Sequence, residues 1–381
     1  MRDQESVREH VDYLLLEDGR EAFPEILRCI ERAVHSIRIN MFIWRDDEIG
    51  NRIAASLLAA ADRGVEIQIS VDRYGMVLEM CEEGKTSFFH RAPTRVERIK
   101  RYALERFYPM PGAAECYTER DHPLREALLS HPRVTVEKDA FKADHSKYYI
   151  FDEQILILGG INIEDKEAGA DRQGRVYQDY MMRVDGATAV GAFLDRMDRG
   201  IPSPDGRFIA NTKRTPKRAF EAEAHYLKLI EEAEEELTVT MAYFSPLSRF
   251  IRALLAAERR GVRVCVLIPS CANFQNDTNR RTVCRLLKKS HGGIRVLLSP
   301  KMVHTKLIAN ERFVSFGSTN ITKKAFAQLD ELNLCLPNDQ SPSIRRLWES
   351  IRRNQALCEE VSDARRIKYS RLRAFFEGFL V

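Results

Sequence analysis

The chain repeats itself, and that duplication limits the folds open to it more than any other feature. Residues 26–72 read ILRCIERAVHSIRINMFIWRDDEIGNRIAASLLAAADRGVEIQISVD, and residues 226–269 read YLKLIEEAEEELTVTMAYFSPLSRFIRALLAAERRGVRVCVLIP. Each copy opens with an amphipathic helix and passes into a β-run, SIRINMFIW or ELTVTMAYF. A second helix follows, ends in Arg-Gly-Val, and gives way to a second β-run, EIQISV or RVCVLI. Apolar residues at helical spacing, then alternating or continuous apolar runs, support this helix–strand–helix–strand order. Gly64 and Gly261 stand where a helix C-cap needs a residue tolerant of positive φ.

Further along, Val134-Thr135-Val136-Glu137 and Ile294-Arg295-Val296-Leu297 each lead into a His-x-Lys strand, with a Gly-rich turn after it. Alternating helices and strands predict an α/β fold of two α/β/α sandwich halves, paired face to face about a pseudo-two-fold axis. The expected division is a first half over 1–199, a linker over 200–218 rich in Pro, Gly and charge, and a second half over 219–381. The first half carries an insertion, about 74–132. Within it Thr94-Arg95-Val96-Glu97 is a capping-box pattern opening a helix whose apolar stripe is Val96, Ile99, Ala103 and Phe107. That helix reads either as a solvated surface element or as a lid beside the active site.

Two motifs carry chemistry. The first is His145-Ser146-Lys147, with Asp152 five residues after the Lys, followed by Gly159, Gly160 and Asn162. The second is His304-Thr305-Lys306, with Glu311 five residues after the Lys, followed by Gly317, Ser318 and Asn320. Side chains two apart on a strand share a face, so each pair presents an imidazole and an ammonium to one spot. The following strand returns beside it and brings the Asn to the same edge, where the Gly residues permit a tight backbone.

A phosphodiester needs this set. Two ammonium groups and two amides can hold its non-bridging oxygens and stabilise the charge of in-line displacement. One neutral imidazole can attack phosphorus to give a phosphohistidine. The other can protonate the departing alkoxide and then deprotonate the incoming alcohol or water, a role worth roughly 10²–10⁴-fold. Each imidazole must be held in one tautomer, usually by a carboxylate. Asp179 and Glu331 are the candidates, each in the β-like run after the Asn of its own half, where a neighbouring strand can bring it under the His. The scheme requires no metal or other cofactor, and no carboxylate cluster suggests one.

These residues resemble the phospholipase D superfamily, whose mark is a duplicated HxKxxxxD followed by GxxN. The resemblance runs from about Phe23 to Asp339 and implies a fused pair of α/β/α domains with the site at their interface. It implies that His145 is the nucleophile and His304 the acid/base. It also implies that Lys147, Lys306, Asn162 and Asn320 bind phosphate, with Ser318 beside them at the substrate, and that Asp179 and Glu331 orient the imidazoles. Asp152 and Glu311, with Gly159, Gly160 and Gly317, are taken as structural. GGINIEDK and the YQDYMMRVDG after it are similar to the same stretch of bacterial cardiolipin synthases. Two departures stand out: Glu311 replaces the usual Asp, and the N-terminal membrane helices of many such synthases are not present.

The expected function is therefore phosphatidyl transfer on an anionic phospholipid, phosphatidylglycerol first, with hydrolysis to phosphatidic acid as the outcome if water is the acceptor. One alternative is a nuclease of the same superfamily, for which Phe88, Phe89, Tyr102, Phe107 and Tyr108 offer stacking aromatics among basic residues. The other is a catalytically silent scaffold. A formal charge of +4, from 60 basic and 56 acidic side chains, lacks the basic excess of a dedicated nucleic-acid binder. Eight cysteines without metal-ligand spacing fit free thiols, and the charged N-terminus lacks an apolar signal core. The reading is a cytoplasmic protein, peripheral at the membrane. The C-terminal RRIKYSRLRAFFEGFLV is expected to pack its apolar side on the domain, with contact to an anionic bilayer as the alternative.

Overall fold

In the computed structural model, residues 11–75, 86–90, 94–99, 102, 121–213 and 219–380 are described. The first half begins β1 (Asp12–Glu17), α1 (Asp18–Arg32), β2 (Ser36–Met41), α2 (Glu48–Asp62) and β3 (Glu66–Val71). It continues through α3 (Pro123–Ser130), β4 (Val134–Glu137), β5 (Tyr148–Phe151), β6 (Ile155–Gly159), β7 (Tyr177–Gln178), β8 (Tyr180–Asp185) and α4 (Ala187–Leu194). The second half opens inside the stretch expected as linker, with β9 (Phe208–Thr212), and continues with β10 (Ala219–Phe220), α5 (Ala222–Glu231), β11 (Glu236–Met241) and β12 (Phe244–Ser245). Next come α6 (Ser248–Arg259), β13 (Arg263–Pro269), α7 (Asn276–Lys289), β14 (Arg295–Ser299) and β15 (Met302–Val303). β16 (Lys306–Asn310), β17 (Phe313–Gly317), β18 (Ile321–Thr322), α8 (Lys323–Ala327) and β19 (Glu331–Pro337) follow. The last elements are α9 (Pro342–Ala356), β20 (Glu359–Glu360) and α10 (Arg371–Leu380).

Sixteen of these strands form a seven-stranded sheet, ordered β1-β8-β6-β5-β2-β3-β4, and a nine-stranded sheet, ordered β10-β9-β19-β17-β16-β11-β13-β14-β20, while β12 pairs with β18 and β7 with β15. From β9 to β14 the second order repeats the first strand for strand. β2, β3 and β4 run parallel, as do β11, β13 and β14. Parallel neighbours need crossover connections, which the helices supply. β5 and β6 fold back as an antiparallel hairpin, and β16 and β17 do the same.

The Arg-Gly-Val signature explains why each copy turns where it does. Arg63 Nη2 donates to the carbonyls of Ile30, Glu31 and Ala33, the orphan end of α1. Arg260 Nη2 does the same for Ile230, Glu231 and Ala233 at the end of α5. Gly64 (φ +104°) and Gly261 (φ +91°) take the left-handed backbone after α2 and α6, and Val65 and Val262 are buried at the start of the next strand. One guanidinium thus ties consecutive helices together in both halves.

The two sheets face each other. Tyr148, Ile150, Leu156, Tyr180 and Met182 from one pack with Leu307, Ala309, Val314, Phe316 and Leu332 from the other, with α4 and α9 at the flanks. The outer faces bury under α1, α2 and α3 on one side and under α5, α6 and α7 on the other. Every residue of β5 and of β16 is buried, as expected of strands covered on both faces.

In the insertion, the capping box is present: Thr94 N donates to Glu97 Oε2 (2.5 Å) and Glu97 N to Thr94 Oγ1 (3.3 Å). Val96 and Ile99 face solvent, while Glu97 is buried and paired with Arg73 (2.8 Å). A buried, twice-bonded ion pair holds this turn, so its apolar residues are left outside. Ala103, Phe107 and Tyr108 lie outside the described residues. Among the described residues no helix is long and apolar enough to cross a membrane, and the six described cysteines are free thiols.

Candidate active site

The two hairpins are anchored identically at their turns. The Asp152 carboxylate accepts from the backbone N–H groups of Val34, His35 and Ser36 (2.7–3.0 Å). Glu311 accepts from those of Glu234, Glu235 and Glu236 (3.1–3.3 Å). Each acid thereby pins the end of a His-x-Lys strand to the start of the neighbouring one. The longer Glu reaches the same three donors, so the departure from Asp leaves the geometry intact. Behind each motif the strands approach too closely for a side chain. A Cβ on Gly159 would sit 2.3 Å from the Tyr180 carbonyl oxygen, and one on Gly317 would sit 2.2 Å from that of Leu332.

What brings the histidines together is an exchange between the halves. β7 pairs in parallel with β15, and Asp144 bridges Asp330. His304 N donates to the Gln178 carbonyl and His145 N to the Asp330 carbonyl, both at 2.8 Å. One residue beyond each of those carbonyls stands an acid. Glu331 Oε2 lies 3.1 Å from His145 Nδ1, and Asp179 Oδ2 lies 3.1 Å from His304 Nδ1. The structure corrects the expectation that each acid serves the His of its own half. Within a half the acid's strand is separated from the His strand by β6 or β17. Across the interface the inter-half bridge puts them in contact.

The His145 tautomer is fixed. Its Nδ1 also lies 3.1 Å from the Ser318 carbonyl, which can only accept, so Nδ1 carries the proton and Nε2 keeps its lone pair. Phe42 packs edge-on against the ring, centroids 4.7 Å apart. Lys147 Nζ donates to the His145 carbonyl (2.5 Å), and Lys306 Nζ makes the equivalent bond to the His304 carbonyl. Asn320 Oδ1 accepts from Tyr243 N (3.1 Å), which leaves its NH2 as a donor. The Asn162 Oδ1 has no hydrogen-bond partner among the described residues.

All six titratable groups are buried, and they act on one another across the interface. Burial, then the Lys147 and Lys306 ammonium groups, hold His145 well below its ordinary value. Burial and Lys306 push His304 down to about 4. Burial and Lys306 take Lys147 down to about 7, and burial lowers Lys306 too. The acids part company. Burial pushes Glu331 up to about 8. Burial also works to raise Asp179, but Lys306 and His304 outweigh it and keep that carboxyl below its ordinary range. The imidazole facing an ionised Asp179 is the better placed of the two to carry a second proton. An anionic phosphate between the ammonium groups would raise both histidines by offsetting that positive charge.

Glu167 is a further acid that motif reading did not single out. Its Oε1 lies 3.6 Å from His304 Nδ1, and neither oxygen has a hydrogen-bond partner among the described residues. Burial, with Glu164 and Asp179 nearby, raises it well above an ordinary Glu. Beneath it Glu164 pairs with buried Arg45 and with Lys166 (3.1 Å). The signal was available: setting GGINIEDKEAG against GSTNITKKAFA places Glu164 and Glu167 opposite Thr322 and Ala325. The His304 side is the more acidic one.

Two site expectations are corrected. Ser318 does not reach toward substrate: it is fully buried, its hydroxyl donates to Glu331, and it accepts from Leu332 N (2.9 Å). Its counterpart Gly160 leaves room for an acid instead, since a Cβ there would meet Asp179 Oδ2 at 2.2 Å. Phe88 and Phe89 do not form a stacking platform. They are buried against Trp44, centroids 5.8 and 5.1 Å away, because that pocket under α2 is apolar.

The family model described as cardiolipin synthase, phospholipase D-like domain, matches residues 26–198 and 226–353. Cardiolipin synthase B of Escherichia coli K12 is 26% identical over 354 residues, covering 87% of this chain and 78% of its own length. Cardiolipin synthase of Staphylococcus aureus N315 is 24% identical over 390 residues, covering 96% of this chain and 72% of its own. The phosphatidylserine synthase of Haemophilus influenzae superimposes with a TM-score of 0.69 at 11% identity, covering 97% of this chain and 92% of that one. That likeness concerns the fold alone.

Proposed function

The chain belongs to the phospholipase D-like domain family of cardiolipin synthases, a family of phosphatidyltransferases, and on that premise we propose that it joins phosphatidylglycerol molecules through a phosphohistidine on His145. The observation that carries this reading is the reciprocal exchange, His145 with Glu331 and His304 with Asp179. It supplies a nucleophile and a proton carrier to one spot from opposite halves.

Lys147, Lys306 and the amides of Asn162 and Asn320 hold the phosphate oxygens. His145 Nε2 attacks phosphorus, an N–P bond forms, and the bond to the head-group oxygen breaks. His304 gives its proton to that departing oxygen. The hydroxyl of a second phosphatidylglycerol then enters, His304 removes its proton, and its oxygen displaces His145. Glycerol and cardiolipin are the products. Water in place of the second lipid yields phosphatidic acid by the same steps. The enzyme meets its lipid at the cytoplasmic face of the membrane, from outside the bilayer.

The test is product analysis. Purified protein is incubated with phosphatidylglycerol vesicles and, separately, with single-stranded DNA, beside a His145→Ala control, and products are read by mass spectrometry. Cardiolipin with free glycerol, absent from the control, is the expected result. Cut DNA with intact lipid would overturn the lipid reading and leave the two-histidine chemistry.

A further inference from the structure

The C-terminal helix α10 turns Leu372, Phe375 and Phe376 the wrong way for a packed helix. Its contact with α7 is made by Ala374, which is fully buried, and by Glu377, whose carboxylate accepts from Thr278 N in the first turn of α7 (2.8 Å). Thr278 Oγ1 closes the joint on the Ala374 carbonyl (3.0 Å). Leu372, Phe375 and Phe376, at i, i+3 and i+4, form the opposite face and remain 68%, 54% and 39% exposed. Arg371 and Arg373 project at the two borders between these faces, and exposed Arg365, Arg366 and Lys368 precede them. This is the arrangement of an interfacial helix, an aromatic face flanked by cations. It also reverses the expectation that the tail would pack its apolar side on the domain.

The helix is tied to the site through α7. Asn279 of α7 binds the backbone on either side of Tyr243, accepting from Phe244 N (2.7 Å) and donating to the Ala242 carbonyl (2.8 Å). Tyr243 in turn gives its N–H to Asn320 and sets its ring 6.4 Å from that of His304. A second exposed apolar and basic stripe, Val96, Ile99 and Tyr102 with Arg95 and Arg98, lies on the His145 side. Glu97 anchors it to Arg73, next to Tyr74, whose ring adjoins Phe42 over His145.

We propose that the outward face of α10 is the surface by which this protein docks on an anionic phospholipid bilayer, laying the mouth of the site against the head groups. The proposal rests on the phospholipid reading above and adds the surface and the orientation. Leu372, Phe375 and Phe376 enter the head-group boundary, and the flanking arginines meet lipid phosphates.

The experiment uses the full chain and two readouts: co-sedimentation with phosphatidylglycerol/phosphatidylcholine vesicles, and turnover of a water-soluble short-chain phosphatidylglycerol. Leu372→Gln/Phe375→Gln/Phe376→Gln is expected to lower vesicle binding roughly 10- to 100-fold while leaving short-chain turnover unchanged. Arg371→Gln/Arg373→Gln is expected to remove most of the dependence on phosphatidylglycerol content and serves as the second variant if the first misfolds. Vesicle binding equal to wild type in both variants would overturn the proposal, as would wild type that turns over the short-chain lipid yet ignores anionic vesicles. In either case the enzymatic reading stands. Loss of short-chain turnover in wild type would instead sink the enzymatic reading, whatever the vesicles show.

Discussion

Lys147, proposed to hold the substrate phosphate, should weaken the fold. The ammonium is fully buried, with a bond to the His145 carbonyl (2.5 Å) and the Phe42 ring 5.1 Å away. Burial and Lys306 bring it from 10.5 to about 7. At about 1.36 kcal/mol for each tenfold change in proton affinity, keeping it charged costs folding on the order of 5 kcal/mol. Below pH 7 it is charged both folded and unfolded, so that cost is present in full. Between pH 7 and 10.5 the unfolded chain holds a proton that the folded chain has released, so stability rises with pH. By pH 9 the cost has fallen to about 2 kcal/mol. Lys147→Met removes it, at the expense of the carbonyl bond and the ring contact, which together offset about 2–4 kcal/mol. The stability gained by the variant over wild type should therefore be about 3 kcal/mol larger at pH 6 than at pH 9. Relief of His145, which the same ammonium pushes down, acts in the same direction. Urea unfolding of both proteins at the two pH values measures this difference, and turnover should fall roughly 10²–10³-fold. A stability difference that does not change with pH, or that favours the variant more at pH 9, would show that Lys147 does not titrate at a lowered pKa in the folded protein.

Three further outcomes follow from the same geometry. Asp179→Asn should lower kcat roughly 10²–10⁴-fold, and Glu331→Gln distinctly less, because the Ser318 carbonyl still holds the His145 proton; equal losses in steady-state kinetics would contradict this. Gly160→Ala should cost roughly 10²-fold in kcat by pushing Asp179 off His304, and a crystal structure of the variant should show that carboxylate displaced. Glu311→Ala should lose about 1 kcal/mol of stability in urea, since two of its three backbone donors belong to exposed residues, and should keep wild-type kcat.

The duplication could be read from the chain because local rules repeat: helix period, strand period and an Arg-Gly-Val at the same place in both copies. The His-Lys-Asn edge was legible for the same reason, since it needs only the strand period and a hairpin. What could not be read is the partnership across the interface. Nothing local to Asp179 says that its strand end will meet His304 rather than His145; β7 and β15 decide that by pairing residues 125 positions apart. Ser318 misled because a hydroxyl two residues before the motif Asn looks like a ligand, and only its burial under His145 shows it serving Glu331. Helix α10 misled in the opposite sense. Its aromatics read as core, but the contact with α7 uses Ala374 and a carboxylate at a helix N-terminus, which apolar patterning does not reveal.

The proposed mechanism divides the labour between two histidines held by the opposite halves. A phosphatidyl ester of p-nitrophenol, whose leaving group departs without a proton, separates their roles. With this substrate, His304→Ala should release one equivalent of p-nitrophenolate per protein in a rapid burst and then stall with a phosphatidyl group on His145, detectable in the peptide after a quench in denaturant at neutral pH. His145→Ala should give no burst. A burst that survives in His145→Ala, or an adduct on His304, would reverse or abolish this assignment of nucleophile and proton carrier.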